Sequence, residues 1–174
     1  QDAHQTEPGP CIVYYFGGGW MWGEYKQKTQ KAVYCRDLVR LTKQGYTIVC
    51  PDYRLVSQAV FPACIHDSKA VIRFLKAHAA QYHIDPQRIG VLGNSAGAHL
   101  AAEWGTVNHG FAGYGLKGPA ALLLGYPSIS TDLFLDMAEE ARRNKQEADV
   151  SYLKRLGGRS FTRESLREYS IDYH

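Results

Sequence analysis

The stretch GVLGNSAGAHL (residues 90–100) decides how this chain is read. It contains Gly93-Asn94-Ser95-Ala96-Gly97, a Gly-x-Ser-x-Gly pattern. The pattern alone is weak, because it arises by chance. Its flanks sharpen it. IGVLG (89–93) is a β-prone apolar run, and a series of small residues that reads as a helix begins at Ser95 or Ala96 and continues to about Trp104. A strand, a sharp turn and a helix form the setting that lifts a serine above a sheet edge. Side chains two residues either side of that serine would collide in so tight a turn, which accounts for glycine at 93 and 97. A serine hydroxyl is a poor nucleophile at its own pKa and needs a base. The stretch therefore predicts Ser95 as a nucleophile and raises the question of what activates it. The competing reading is an ordinary turn in which Ser95 caps the helix.

Upstream, CIVYYF (11–16) is a continuous apolar β-prone run, of the kind found in strands covered on both faces. It leads into FGGGWMWG (16–23). Acyl transfer through a serine needs backbone N–H groups aimed at the developing oxyanion. A glycine run brings the backbone close without a Cβ in the way. Gly18 and Gly19, with the N–H of Ala96, are the expected oxyanion hole, and Gly17 is expected to shape the turn. Trp20 and Trp22 are candidates for the wall of an acyl pocket, with surface-loop aromatics as the alternative.

The remaining segments alternate. Residues 29–44 read as a helix with Leu38, Val39 and Leu41 on its apolar side and Gly45 as its stop. YTIVCP (46–51) reads as a strand. Residues 64–82 form a helical pattern with Val71, Phe74, Leu75, His78, Ala79 and Tyr82 on one face, and Asp67 near its start suits the helix dipole. HIDPQR (83–88) reads as a turn and AALLLGYP (120–127) as a strand. A charged, helix-prone segment follows from Asp132 to Leu156, broken at Gly157-Gly158, and a short helix covers about 162–169. The expectation is a single α/β domain over residues 1–174, with a mostly parallel sheet, helices on both faces, and residues 131–169 as a helical insertion or lid.

Composition narrows the function classes. At 45% hydrophobic and 21% charged, with a net charge of +3, the chain reads as globular, without an electrostatic case for nucleic acid or an anionic membrane. The basic residues between Arg142 and Arg167 are interrupted by Glu147, Asp149 and Glu164 and read as a solvated helix face. No run approaches the ~20 apolar residues of a membrane span. The opening residues do not read as a signal peptide, which leans the expectation to the cytoplasm and leaves the compartment open. Cys11, Cys35, Cys50 and Cys64 lie far apart with no metal-ligand spacing and read as buried free thiols, with a disulfide that sequence cannot pair as the alternative. Neither a metal nor an organic cofactor is expected.

Taken together, the glycine run with its Trp, DYRL (52–55), FPACIHDSKAVIRFLKAHA (61–79), YHIDPQRIGVLGNSAGAHLAA (82–102) and GYP (125–127) resemble the esterase/lipase branch of the α/β-hydrolase superfamily. The likeness lies near its hormone-sensitive-lipase-like and acetylesterase/feruloyl-esterase-like groups. It covers about residues 11–127 and loosens from Ser128 onward, where YSIDY (169–173) matches a segment ahead of the family's next core strand. The resemblance implies a small-molecule ester substrate and structural roles for Asp52, Arg54 and Asp67. It also marks a departure: the family often has His before the three glycines, and here Phe16 stands there, so a hydrogen bond bracing the loop is expected to be lost. His99, four residues after Ser95, is read as a packing or hydrogen-bonding residue.

A serine triad needs a His at the hydroxyl and an acid to orient it, in the chain order Ser, acid, His for this superfamily. His66, His78 and His83 precede the serine, His109 sits in a glycine-rich loop, and His174 is terminal. Asp132 and Asp136 fall on the expected insertion. None suits the triad, so acid and base are expected beyond residue 174, in a chain that is an internal portion of a larger α/β-hydrolase. Such a portion would expose sheet edges and tend to self-associate. Two readings follow: a small-acyl serine esterase, with a formamidase or peptidase open on the same frame, or a non-catalytic binding fragment.

Overall fold

The computed structural model describes residues 7–21, 35–106 and 121–125, with the backbone alone at 104–106. Trp22, His109, Asp132, Asp136, His174 and the expected insertion over 131–169, its short final helix included, lie outside the described residues.

Among the described residues four strands form one sheet: β1 (Gly9–Tyr15), β2 (Thr47–Val49), β3 (Ile84–Asn94) and β4 (Ala121–Gly125). Their order is β2-β1-β3-β4, and every pairing is parallel. The chain first leaves β1 on one side to make β2, then returns to the other side to make β3. The strand order therefore reverses between β1 and β3. In open parallel sheets a crevice opens outside the carboxyl ends of the strands at such a reversal, and ligands bind there. Here those ends are Tyr15, which feeds the glycine run, and Asn94, which precedes Ser95.

Two helices, α1 (Ala63–Ala77) and α2 (Ala96–Thr106), pack against each other, and α2 packs on β1, β3 and β4. The core lies between helices and sheet: Cys11, Val13 and Tyr15 of β1, Ile89 and Val91 of β3, Ile65 and Ile72 of α1, and Leu100 of α2 are buried. Tyr15 donates its hydroxyl to the Ser68 carbonyl of α1 at 2.8 Å, which satisfies a buried polar group. No disulfide joins the four cysteines. Among the described residues no helix is long and apolar enough to cross a membrane.

Three local expectations are corrected. The buried face of α1 is Cys64, Ile65, Ser68, Lys69, Ile72 and Leu75, not the stripe through Phe74 and Tyr82, which are exposed. Polar Ser68 and Lys69 sit on the covered side and displaced the apparent stripe. Val71, Phe74 and Tyr82 instead line an open apolar groove of about 490 Å³ beside β2, together with Val49 and Pro51. The helix before β2 tightens into a 3-10 turn over Val39–Gln44, with no buried residue, and Gly45 stops it in the left-handed region at φ 83°. Residues 85–88 keep their turn chemistry inside a strand. Asp85 accepts from the Gln87 amide at 2.9 Å and from Arg88 Nε at 2.7 Å. The register between β1 and β3 shifts there, so the expected turn is an irregularity within a longer β3.

Candidate active site

Ser95 stands between the last residue of β3 and the first of α2 with φ 51°. That is left-handed backbone on a non-glycine residue, strained by about 1–2 kcal/mol and found where surrounding structure enforces it. The enforcement is visible on both sides. A Cβ on Gly93 would strike the backbone of Gly97 and Ala98, and a Cβ on Gly97 would strike the carbonyls of Tyr15 and Phe16. The two glycines thus answer to different neighbours. Gly93 makes room for the start of α2, and Gly97 lets α2 lie on the end of β1. Ser95 donates its amide to the Gly125 carbonyl at 2.8 Å, tying the turn to β4. Its carbonyl accepts the amides of Ala98 at 2.9 Å and His99 at 3.1 Å, which starts the helix.

Ala96 is completely buried and opens α2. A first-turn amide has no carbonyl of its own helix to meet, and it points along the positive end of the helix dipole. Across the crevice the glycine run turns sharply. Gly18, Gly19 and Trp20 take φ 131°, 58° and 57°, and the Met21 amide closes the turn on the Gly18 carbonyl at 3.0 Å. Positive φ at both central residues is the mark of a mirror-image turn, which glycine enters without strain and Trp20 does not. Among the described residues neither Gly18 nor Gly19 donates its amide to a backbone carbonyl outside the strand ladders. The Gly17 amide is taken by Asn94 Oδ1 at 3.1 Å, in keeping with its expected role in shaping the turn.

Two residues that sequence reasoning missed hold this loop. Asn94 accepts from both the Gly17 amide and the Tyr14 hydroxyl, the latter at 2.7 Å. Register pairs Tyr15 with Gly93, so alternation puts Tyr14 and Asn94 together on the opposite face of the sheet. Read as the variable letter of Gly-x-Ser-x-Gly, Asn94 carried no signal. A polar residue ending an apolar strand beside a tyrosine-bearing one was the available clue. Tyr53, the middle of DYRL, stacks on Phe16 at 4.4 Å and donates its hydroxyl to the Phe16 carbonyl at 2.8 Å. The brace expected to be lost with Phe16 is therefore supplied by Tyr53 and Asn94.

The structural residues fall into place around them. Asp67 grips Arg54 through its Nε at 2.8 Å and its terminal nitrogen at 2.7 Å, and also takes the Arg54 amide at 2.9 Å. Burial pushes the Asp67 carboxyl up, but the Arg54 hydrogen bonds and charge hold it below the ordinary value. Asp67 thus pins the DYRL loop to α1 rather than serving the helix dipole. His99 is buried, its ring edge-on to Trp20 at 5.5 Å and tilted to Phe61 at 6.1 Å. That agrees with a packing residue. Trp20 is itself 3% exposed, so it is not a surface-loop aromatic. One turn further along α2, Glu103 is fully buried, and burial pushes its carboxyl up to about 7 against the pull of Lys69. The fold holds a proton there that the unfolded chain releases near its ordinary 4.5. This group's contribution to stability is full below that value and lost as pH rises through about 7. No group of His, Cys, Asp and Glu among the described residues is arranged to hold a metal.

The BD-FAE family model matches residues 1–117. The chain belongs to the BD-FAE family. Relatives named as carboxylesterases and esterases place it in a family of carboxylic-ester hydrolases of the α/β-hydrolase superfamily. The carboxylesterase NlhH of Mycobacterium tuberculosis is 34% identical over 126 residues, 72% of this chain and 37% of that protein. An acetyl ester-xyloside bifunctional hydrolase from Caldicellulosiruptor lactoaceticus superposes with a TM-score of 0.68 and 26% identity, over 97% of this chain and 57% of that one. A propionate-bound thermophilic esterase, Est2, from Thermogutta terrifontis gives 0.67 and 28%, over 99% and 58%. This BD-FAE chain therefore spans 37% of the curated carboxylesterase and a little over half of these solved structures.

Proposed function

We propose that Ser95 is the nucleophile of a carboxylic-ester hydrolase acting on small acyl groups, with the amides of Ala96, Gly18 and Gly19 as its oxyanion hole. The observation that carries this reading is the strained Ser95 backbone at the strand-order reversal, enforced by Gly93 and Gly97 and facing the glycine turn. Ser95 Oγ attacks the ester carbonyl carbon, and the carbonyl oxygen takes the negative charge. Amides fixed before the reaction stabilise that charge without reorganising, and the loss of one such donor typically lowers turnover by about 10²- to 10³-fold. The alcohol leaves, and water then releases the acid from the serine. Trp20 and Trp22 are assigned to the acyl side of the pocket, the burial of Trp20 favouring a wall over a surface role. The acid and the base are assigned to residues beyond 174. Acetyl esters are the favoured substrates, in line with the acetyl ester hydrolase among the structural relatives. The exposed leucines of β4 support self-association of the chain through its sheet edge.

A fluorophosphonate probe tests the reading on the intact protein. Labelling is expected on Ser95 and is expected to vanish in Ser95→Ala. An unlabelled wild-type protein would overturn the esterase reading in favour of a non-catalytic binding fragment. A panel of acetyl, formamide and peptide substrates then separates the esterase from the other chemistries the frame supports.

A further inference from the structure

Helix α2, which begins at the Ser95 turn, also buries ionisable groups that ester hydrolysis does not use. Glu103 is completely buried, and among the described residues neither of its carboxylate oxygens accepts a hydrogen bond. His99 Nε2 lies 3.7 Å from Glu103 Oε1, just outside hydrogen-bond range. Groups of α1 face the same carboxyl: the Lys69 ammonium, which pulls its proton affinity down, and Cys64, whose thiol burial keeps neutral. His99 connects this charge to the site in two ways. Its amide holds the Ser95 carbonyl at 3.1 Å. Its ring packs T-shaped on the Trp20 indole, with centroids 5.5 Å and planes 87° apart. Trp20 is the last left-handed residue of the turn that presents Gly18 and Gly19, and its carbonyl is fastened to the Val56 amide at 2.9 Å.

We infer that Glu103 is a positioning residue for the oxyanion loop, acting through the His99 imidazole on Trp20. The inference rests on the assignment of Ser95 and the glycine amides made above. With Glu103 neutral, the imidazole stays packed on the indole, as in this structure. An ionised Glu103 attracts an imidazole N–H, and a charge-assisted hydrogen bond of about 2.8 Å draws the ring toward residue 103 and off the indole. Trp20 loses this ring contact, its strained turn relaxes, and the Gly18 and Gly19 amides move with it. The oxyanion hole is therefore best formed while Glu103 holds its proton. That proton is lost near pH 7, where burial has placed the carboxyl.

Glu103→Gln keeps the side chain's shape and cannot ionise. Rates of Ser95 labelling by a fluorophosphonate are measured for the intact wild-type and E103Q proteins from about pH 5 to about pH 8.5 and compared as a ratio, so that titration of the activating base cancels. E103Q is expected to match wild type at the acid end and to exceed it severalfold above neutrality, short of the ~10²-fold that follows loss of an oxyanion donor. A ratio that stays constant across the range overturns the inference. A second measurement needs no chemistry. The fluorescence of Trp20, isolated as the difference between wild type and Trp20→Phe, is expected to titrate with a midpoint near 7 and to be flat in E103Q and in His99→Gln. A Trp20 signal that is independent of pH in the wild type overturns the inference whether or not E103Q folds. If wild type is not labelled at Ser95 while Trp20 still titrates, the nucleophile reading falls and the coupling from Glu103 to Trp20 stands.

Discussion

The middle of the sheet and its edges are made of similar residues under opposite constraints. At the reversal between β1 and β3, the residues on either side of Ser95 are fixed by backbone contact, and Ala96, Ala98 and Leu100 are fully buried. At the edges of the described sheet, β2 has no buried residue, and Leu122 and Leu123 of β4 are 38% and 65% exposed. Both regions read as apolar β-prone sequence. The difference is that the centre tolerates one side-chain size at each position, whereas the edge strands satisfy only a preference for extended backbone. Chemistry sits where the tolerance is lowest.

The largest expected effect tests that statement directly. Gly97→Ala drives a methyl group into the carbonyls of Tyr15 and Phe16, main-chain atoms of β1 and the loop after it that have no side-chain freedom to give way. Destabilisation on the order of 4 kcal/mol is expected, at the upper end for single substitutions. Urea unfolding of the intact protein measures it. A midpoint equal to that of wild type would show that α2 can lift off β1, and the contrast between centre and edge would lose its basis.

Asn94→Ala is the next step down. It takes the shared acceptor Oδ1 away from the Tyr14 hydroxyl and the Gly17 amide, and loss of such a part-buried acceptor costs about 1–3 kcal/mol. The turn bearing Gly18 and Gly19 then hangs on Tyr53 and Val56 alone among the bonds described above. Slower fluorophosphonate labelling is expected alongside the loss of stability, whereas Asn94→Asp keeps an acceptor oxygen and recovers part of both. Unchanged labelling in Asn94→Ala would show that the brace is structural only.

How far the sequence revealed these features follows from the kind of force at each site. β1, β2, β4 and the second half of β3 were legible, because continuous apolar runs between turn residues need no knowledge of partners. The turn at Ser95 was legible because a Cβ at 93 or 97 would strike neighbouring main chain, which leaves only glycine there. Asn94, Tyr53 and the covered face of α1 were not. The hydrogen bond from the Gly17 amide to Asn94 spans 77 residues and depends on register, which no local pattern encodes. The α1 face failed for a related reason. Lys69 is buried opposite Glu103 on another helix, so its polarity, judged alone, pointed outward. Even Phe16 misled by its position, since the brace it displaced is supplied by a tyrosine 37 residues later.

The smallest expected effect on stability belongs to the edge. Leu123 is the most exposed large apolar residue described, so Leu123→Lys removes little buried surface. A change within about 0.5 kcal/mol is expected, as for most surface substitutions. Its effect on association is expected to be far larger. An edge strand offers unpaired N–H and C=O groups to a second chain, and a lysine there is a common means of blocking that pairing. Sedimentation velocity of the 174-residue chain is expected to show concentration-dependent association that L123K reduces. If L123K associates as wild type does, β4 is not the contact, and the short β2 with its apolar groove becomes the edge to test. If L123K instead unfolds the chain, Leu123 belongs to the tightly constrained region after all, and the boundary between centre and edge moves outward by one strand.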